Sequence, residues 1–130
     1  MAKDLFHDVV RRCRGGYHPM EKVEHYRQLI QELLQAYSNI KANNEEVEAE
    51  VIFDLARDRY QIVHVGWSNK RRVYGCILHL DIKNEKIWIQ HDGTEGGIAG
   101  ELMKQGVPKE DIVIAFHSPF KRQFTEFAVG

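Results

Sequence analysis

The sequence predicts an α+β domain: an N-terminal amphipathic helix packed on an antiparallel β-meander of about four strands, followed by a second helix and a short C-terminal strand or covering segment. Three observations carry that prediction. Between Met20 and Lys41 the residues Val23, Tyr26, Leu29, Ile30, Leu33, Leu34 and Tyr37 recur at helical spacing, with charged and amide residues on the opposite face. From Val47 to Gln90 short stretches rich in β-branched and aromatic residues are separated by turns too brief for the crossovers that parallel neighbours need. At Lys86 to Ile98 a strand pattern then passes directly into a helix start.

The front of the chain, Lys3 to Arg14, reads as a short helix with Leu5, Val9 and Cys13 on one face and Phe6 and Val10 beside them; Gly15-Gly16 ends it. Pro19 then stands where a helix tolerates proline, in its first turn. Each aliphatic side chain that the long helix buries contributes roughly 1.5–3 kcal/mol, which makes it a main wall of the core. Asn43-Asn44 marks a loop. Val47, Ala49, Val51, Phe53 and Leu55 alternate with Glu48, Glu50 and Asp54, the pattern of a strand with one wet face. Asp58-Arg59 turns the chain into a second strand, Tyr60 to Trp67, and Ser68-Asn69-Lys70 into a third, Arg72 to Ile82. Lys83-Asn84-Glu85 leads to the central strand, where Ile87 and Ile89 point one way and Trp88 and Gln90 the other. Asp92 caps the next helix, about Thr94 to Gln105, and Glu95 three residues on completes a capping box. Gly106 and Pro108 stop it. Ile112 to Phe116 forms a fifth strand or a covering segment, and the tail carries Phe120, Phe124 and Phe127 before Ala128-Val129-Gly130.

The totals narrow the function classes. At 130 residues, 43% hydrophobic and 28% charged, the composition is that of an ordinary globular protein, and one domain suffices for this length. No apolar run approaches the roughly 20 residues of a membrane span, and the first residues lack the apolar core of a signal peptide, so the expected location is the cytoplasm. Cys13 and Cys76 form neither a disulfide framework nor a metal-ligand pair. A formal net charge of −1 is not the basic excess of a protein that grips DNA unaided.

Several residue groups could carry chemistry. His91, Asp92, Thr94 and Glu95 gather polar groups at a strand-to-helix junction, and His64, His79 and His117 lie elsewhere. Imidazole with carboxylate suits several divalent ions, but there is no HExxH or paired-cysteine pattern. Helix capping explains the carboxylates better, and no metal or cofactor is assigned. Asp81-Ile82-Lys83, with Asp54 upstream, has the acid-x-lysine form of a metal-dependent nuclease centre, yet it falls where a strand runs into a turn. Ser38, Ser68 and Ser118 are the only serines and none sits in a nucleophile elbow. We therefore assign no catalytic residue. Arg71 and Arg72 between Trp67 and Tyr74, and Lys121-Arg122 between Phe120 and Phe124, interleave bases with aromatics. That pattern binds nucleic acid and also dominates protein–protein hot spots.

From Val23 to the last residue the chain resembles the XisI family, controlling factors for excision of the fdxN element in filamentous cyanobacteria. The resemblance rests on Tyr26-Arg27-Gln28, Tyr60-Gln61-Ile62-Val63-His64-Val65-Gly66-Trp67, Arg71-Arg72-Val73-Tyr74-Gly75-Cys76, the run from Lys86 to Glu95, and Gly106-Val107-Pro108-Lys109-Glu110-Asp111-Ile112-Val113. The end, Lys121 to Thr125 with Phe127-Ala128-Val129-Gly130, matches too. It divides the chain into residues 20–130, the family domain, and an extension, 1–19. Ala2 to Val10 in that extension resembles the opening of XisH, the companion of XisI, as a remnant fused in frame would.

What the resemblance implies is a non-enzymatic regulator of site-specific excision. It would act with an XisH-like partner and a separate recombinase complex, and reach DNA indirectly, since XisH resembles a restriction-nuclease fold. The expected contact surface is Trp67, Arg71, Arg72 and Tyr74 with the tail residues Arg122, Phe124 and Phe127, the His91–Glu95 junction lying beside them. A homodimer is compatible with this. The rival reading is a direct DNA-binding or metal-dependent nucleic-acid enzyme centred on that junction.

Overall fold

Apolar spacing along the long helix translates directly into packing. In the computed structural model, which describes residues 19–40 and 46–130, α1 (Pro19–Ile40) buries Tyr26, Leu29, Ile30 and Leu34, with Val23, Leu33 and Tyr37 alongside. It lies on one face of a five-stranded sheet of order β1-β2-β3-β4-β5, formed by β1 (Val47–Asp54), β2 (Arg59–Ser68), β3 (Arg71–Lys83), β4 (Lys86–Asp92) and β5 (Ile112–Ile114). Tyr60, Ile62, Leu78, Leu80, Ile87, Ile89 and Ile112 point to the helix and complete the core. The expected helix at Lys3 to Arg14, the Gly15-Gly16 break and the Asn43-Asn44 loop lie outside the described residues.

The first four strands form the expected antiparallel meander. β5 departs from it, pairing parallel to β4 through Ile87 with Ile112 and Ile89 with Ile114. The connection between them holds α2 (Ile98–Lys104) and a 3₁₀ turn at Lys109–Asp111, so the chain has the room that a parallel crossover requires. A short helix, α3 (Pro119–Arg122), follows in the tail. Ser118 caps it by accepting the Lys121 backbone N–H, and proline stands in the first turn. Beyond it Ala128 bridges to Val113 and donates its N–H to the Ile112 carbonyl, covering the outer edge of β5.

Two irregularities re-aim the sheet. The register of β2 on β3 jumps between Ile62 and Val63, leaving Ile77 as an extra residue, and that of β3 on β4 jumps between His79 and Leu80, leaving Gln90 extra. Such bulges twist the bulged strand and redirect its side chains. At the far end of the hairpin Gly66 is required. Its φ is 155°, and a Cβ there would stand 2.0 Å from the Glu46 carbonyl oxygen.

The helix after β4 starts later than its sequence predicts. Gly97, with φ of 83°, occupies the cap position without a side-chain bond, and the helix runs only from Ile98 to Lys104. The expected capping box of Asp92 and Glu95 at Thr94 is therefore corrected. Gly96-Gly97 holds the chain out of helical geometry for four residues longer, because glycine gains little from the helix and adopts positive φ freely.

Candidate functional site

At the end of β4 the Asp92 carboxylate serves the fold. Oδ1 accepts the Thr94 N–H at 3.0 Å and the Thr94 hydroxyl at 2.6 Å, and Oδ2 accepts the Ile98 N–H at 2.8 Å. It therefore reaches the α2 N-terminus from six residues away and ties down the intervening loop. Gly93 completes the anchor by donating its N–H to the bulged Ile77 carbonyl at 2.7 Å. A Cβ at Gly93 would lie 3.0 Å from that oxygen. His91 and Glu95 are exposed around this loop. Of the four polar residues in the junction, the structure joins Asp92 and Thr94 to each other and leaves the other two facing solvent.

The nuclease-like triplet comes apart in a similar way. Asp81 is buried on the sheet face opposite α1, where its carboxylate meets His79 Nε2 at 2.9 Å and accepts from Gln90 Nε2 at 3.1 Å. Gln61 Nε2 stands 3.5 Å from His79 Nδ1. Asp54, Arg59 and Asp81 line up across three strands, so an arginine separates the two carboxylates, with Arg59 Nη1 4.0 Å from Asp81. Asp54 turns away to accept the Ala56 and Arg57 backbone N–H groups, and Lys83 Nζ sits over the Trp88 ring. Among the described residues no group of three or more histidine, cysteine or acidic side chains is arranged to hold a metal ion. Burial pushes the neighbouring Cys76 thiol up, the wrong direction for a nucleophile.

The aromatic-and-basic residues form two surfaces, not one. Trp67, Arg72 and Tyr74 lie on β2 and β3 beyond Ile77, where β3 has no partner in β4. The Arg72 guanidinium stacks 5.5 Å over Trp67, and Tyr74 is 73% exposed. Ile52 of β1, level with Gln61, lies further along the same face of the sheet and is 46% exposed. The signal for it was an apolar residue at a wet-face position of the alternation that carries Glu48 and Glu50. Arg71 starts β3 at the exposed turn.

The second surface lies at the carboxyl ends of β4 and β5. A cleft of about 380 Å³ opens there between Ile89, Ile114, Phe116, Phe124 and Phe127, with Asp92 on its wall. Phe116, Phe120 and Phe124 are exposed by 52%, 67% and 73%, and Phe120 meets Phe124 edge-on at 5.2 Å. Phe127 packs on the core instead. Arg122 turns inward, donating to the His117 and Ala115 carbonyls at 3.0 and 3.1 Å and lying over Trp88, so it shapes the tail that presents the phenylalanines. Sequence reasoning singled out the tail but missed Phe116, because it reads as the last residue of a strand.

Among the described residues no helix is long and apolar enough to cross a membrane. The comparisons with known proteins agree with the fold. The family model described as XisI protein matches residues 20–129. An XisI-like protein from Anabaena variabilis ATCC 29413 has a crystal structure that superposes with a TM-score of 0.78 at 40% identity, over 84% of this chain and 99% of that one. The fdxN element excision controlling factor XisI from the same organism superposes at 0.73 with 41% identity, over the same shares of the two chains. No curated protein matches the chain. With a matched segment that spans nearly all of α1, the sheet and the tail, the chain belongs to the XisI family.

Proposed function

We propose that this chain is a non-catalytic controlling factor for site-specific excision of a DNA element, and that it works by docking an XisH-like protein on its C-terminal aromatic surface. The observation that supports this most is the exposure of Phe116 and Phe124 on a concave, largely apolar cleft, with exposed Phe120 edge-on against Phe124. Clustered aromatics beside a pocket are the usual composition of an interface centre. Two carboxylates that an enzymatic reading would use are engaged in the fold, Asp92 at the α2 start and Asp81 with His79 and Gln90, while His91 and Glu95 stand exposed without converging on them. In this reading the recombinase and the DNA are reached through the partner, in keeping with a net charge of −1.

Co-expression with a cognate XisH-like protein tests it. The wild-type chain is expected to co-purify with that protein, and Phe124→Asp to lose it while keeping its far-ultraviolet dichroism. A salt-sensitive shift of duplex DNA by this chain alone, with no co-purification, would reject the reading in favour of direct binding.

A further inference from the structure

The sheet face opposite α1 carries a second surface, separate from the cleft. Alternation places Val65 and Trp67 of β2 on it, with Tyr74 and Arg72 of β3 to one side and Glu48 and Glu50 of β1 to the other. The register fixes their levels, since Glu48 is opposite Val65 and Val65 opposite Tyr74, while Trp67 is opposite Arg72. Trp67 and Tyr74, on neighbouring strands and one pleat apart, are 51% and 73% exposed, large aromatic side chains that a solvated sheet face rarely keeps together. At this end of the face the charge is split across β2, with Glu48 and Glu50 on the β1 side and Arg72 on the β3 side.

We infer that this face docks a second copy of the chain, as two sheets packed face to face about a two-fold axis running along β2. The symmetry follows from the register. Rotation about β2 exchanges the sides of the sheet, so β1 of one copy lies over β3 of the other at the same level. Glu48 then faces the partner copy's Tyr74 hydroxyl, with the guanidinium of Arg72 one pleat further on, and Val65 and Trp67 on the axis meet their own counterparts. Such an isologous contact is self-complementary in charge. Aligned sheets pack about 10 Å apart, a spacing that aromatic side chains fill. A single nucleic-acid strand would also find Trp67, Tyr74 and Arg72 here, but Glu48 and Glu50 beside them repel phosphate, which favours the protein copy. Two acids beside Arg72 suit a second copy of this face better than a polyanion.

Sedimentation equilibrium on the full chain tests the inference. The wild type is expected at twice the chain mass of 15.2 kDa, and Trp67→Glu and Arg72→Glu at that mass itself. Glu48→Arg is expected to be monomeric alone and to regain the dimer when combined with Arg72→Glu. This rescue cannot come from a general effect on folding. A monomeric wild type, a dimer indifferent to Trp67→Glu, or a double variant that stays monomeric would each overturn the inference. So would an oligothymidylate that binds the wild-type monomer through Trp67. Because the cleft lies elsewhere, Trp67→Glu is expected to retain the XisH-like partner. Loss of the dimer is thus distinguishable from loss of the partner.

Discussion

Asp92 shows how one carboxylate can resemble a functional residue and act as a brace. Its two oxygens take three protein hydrogens, from Thr94 twice and from Ile98. Removing it strips several bonds worth roughly 1 kcal/mol each. We expect Asp92→Ala to lower stability by about 2–3 kcal/mol, read as a fall in the urea midpoint with unchanged slope. Asp92→Asn recovers only part of this, because an amide has a single oxygen and must set its NH₂ group against one of the donors. A variant as stable as wild type would show that the loop is held by other contacts. Gly66 is a second such position. Gly66→Ala forces a Cβ into the Glu46 carbonyl, and a loss of about 2–4 kcal/mol in the same measurement is expected. That Asp92 caps a helix was legible in its type and place. The distance to Ile98 was not, because the capping-box spacing competes with Gly96-Gly97, and only the folded loop shows which prevails.

At the scale of elements, α1 is fastened to the β1–β2 turn by a fork of bonds as well as by its apolar stripe. Arg27 donates Nε to Asp58 Oδ1 at 2.7 Å and Nη2 to Oδ2 at 3.0 Å, and the buried Tyr60 hydroxyl donates to the same carboxylate at 3.0 Å. The guanidinium bond, against the opposing effect of burial, holds the Asp58 carboxyl below its usual range. A folded-state value below the unfolded one means that the folded protein binds fewer protons here. The stabilising share is therefore complete above the ordinary aspartate value, about 4, and is lost as pH falls toward the folded value. Asp58→Asn is expected to be less stable than wild type at neutral pH and to approach it as pH drops below about 4 in thermal melts. A constant gap across that range would contradict this role. The periodicity of α1 and the alternation of β1 to β4 were readable because each repeats over several turns or pleats. β5 and α3 were not, since three or four residues, Ile112–Ile114 and Pro119–Arg122, hold too little of a period to distinguish strand direction or helix from covering chain. The bulges at Ile77 and Gln90 leave no mark in the sequence at all.

For the whole molecule, the parallel β4–β5 pair closes the sheet on one side and the tail lies over Trp88, while the ends of β2 and β3 beyond Ile77 reach past β4. The two aromatic surfaces that the sequence presents as one are kept apart by this arrangement, and a separate partner is proposed for each. Their residues were identifiable from composition, Trp67 and Tyr74 beside arginines and phenylalanines in the tail, but their separation depends on strand order and register, which spacing along the chain does not encode. Arg122 shows the limit most clearly: an arginine between exposed phenylalanines has the look of a contact residue, yet it is committed to the His117 and Ala115 carbonyls.

Docking through the tail aromatics is decided by titration calorimetry of the purified chain against its cognate XisH-like protein, with the wild type, Phe124→Asp and Trp67→Glu measured side by side. Phe124→Asp is expected to weaken the affinity by about 30-fold or more, as loss of an interface hot spot does, and Trp67→Glu to leave it within a few-fold. Equal affinities for wild type and Phe124→Asp, or no heat of binding with any of the three, would contradict it.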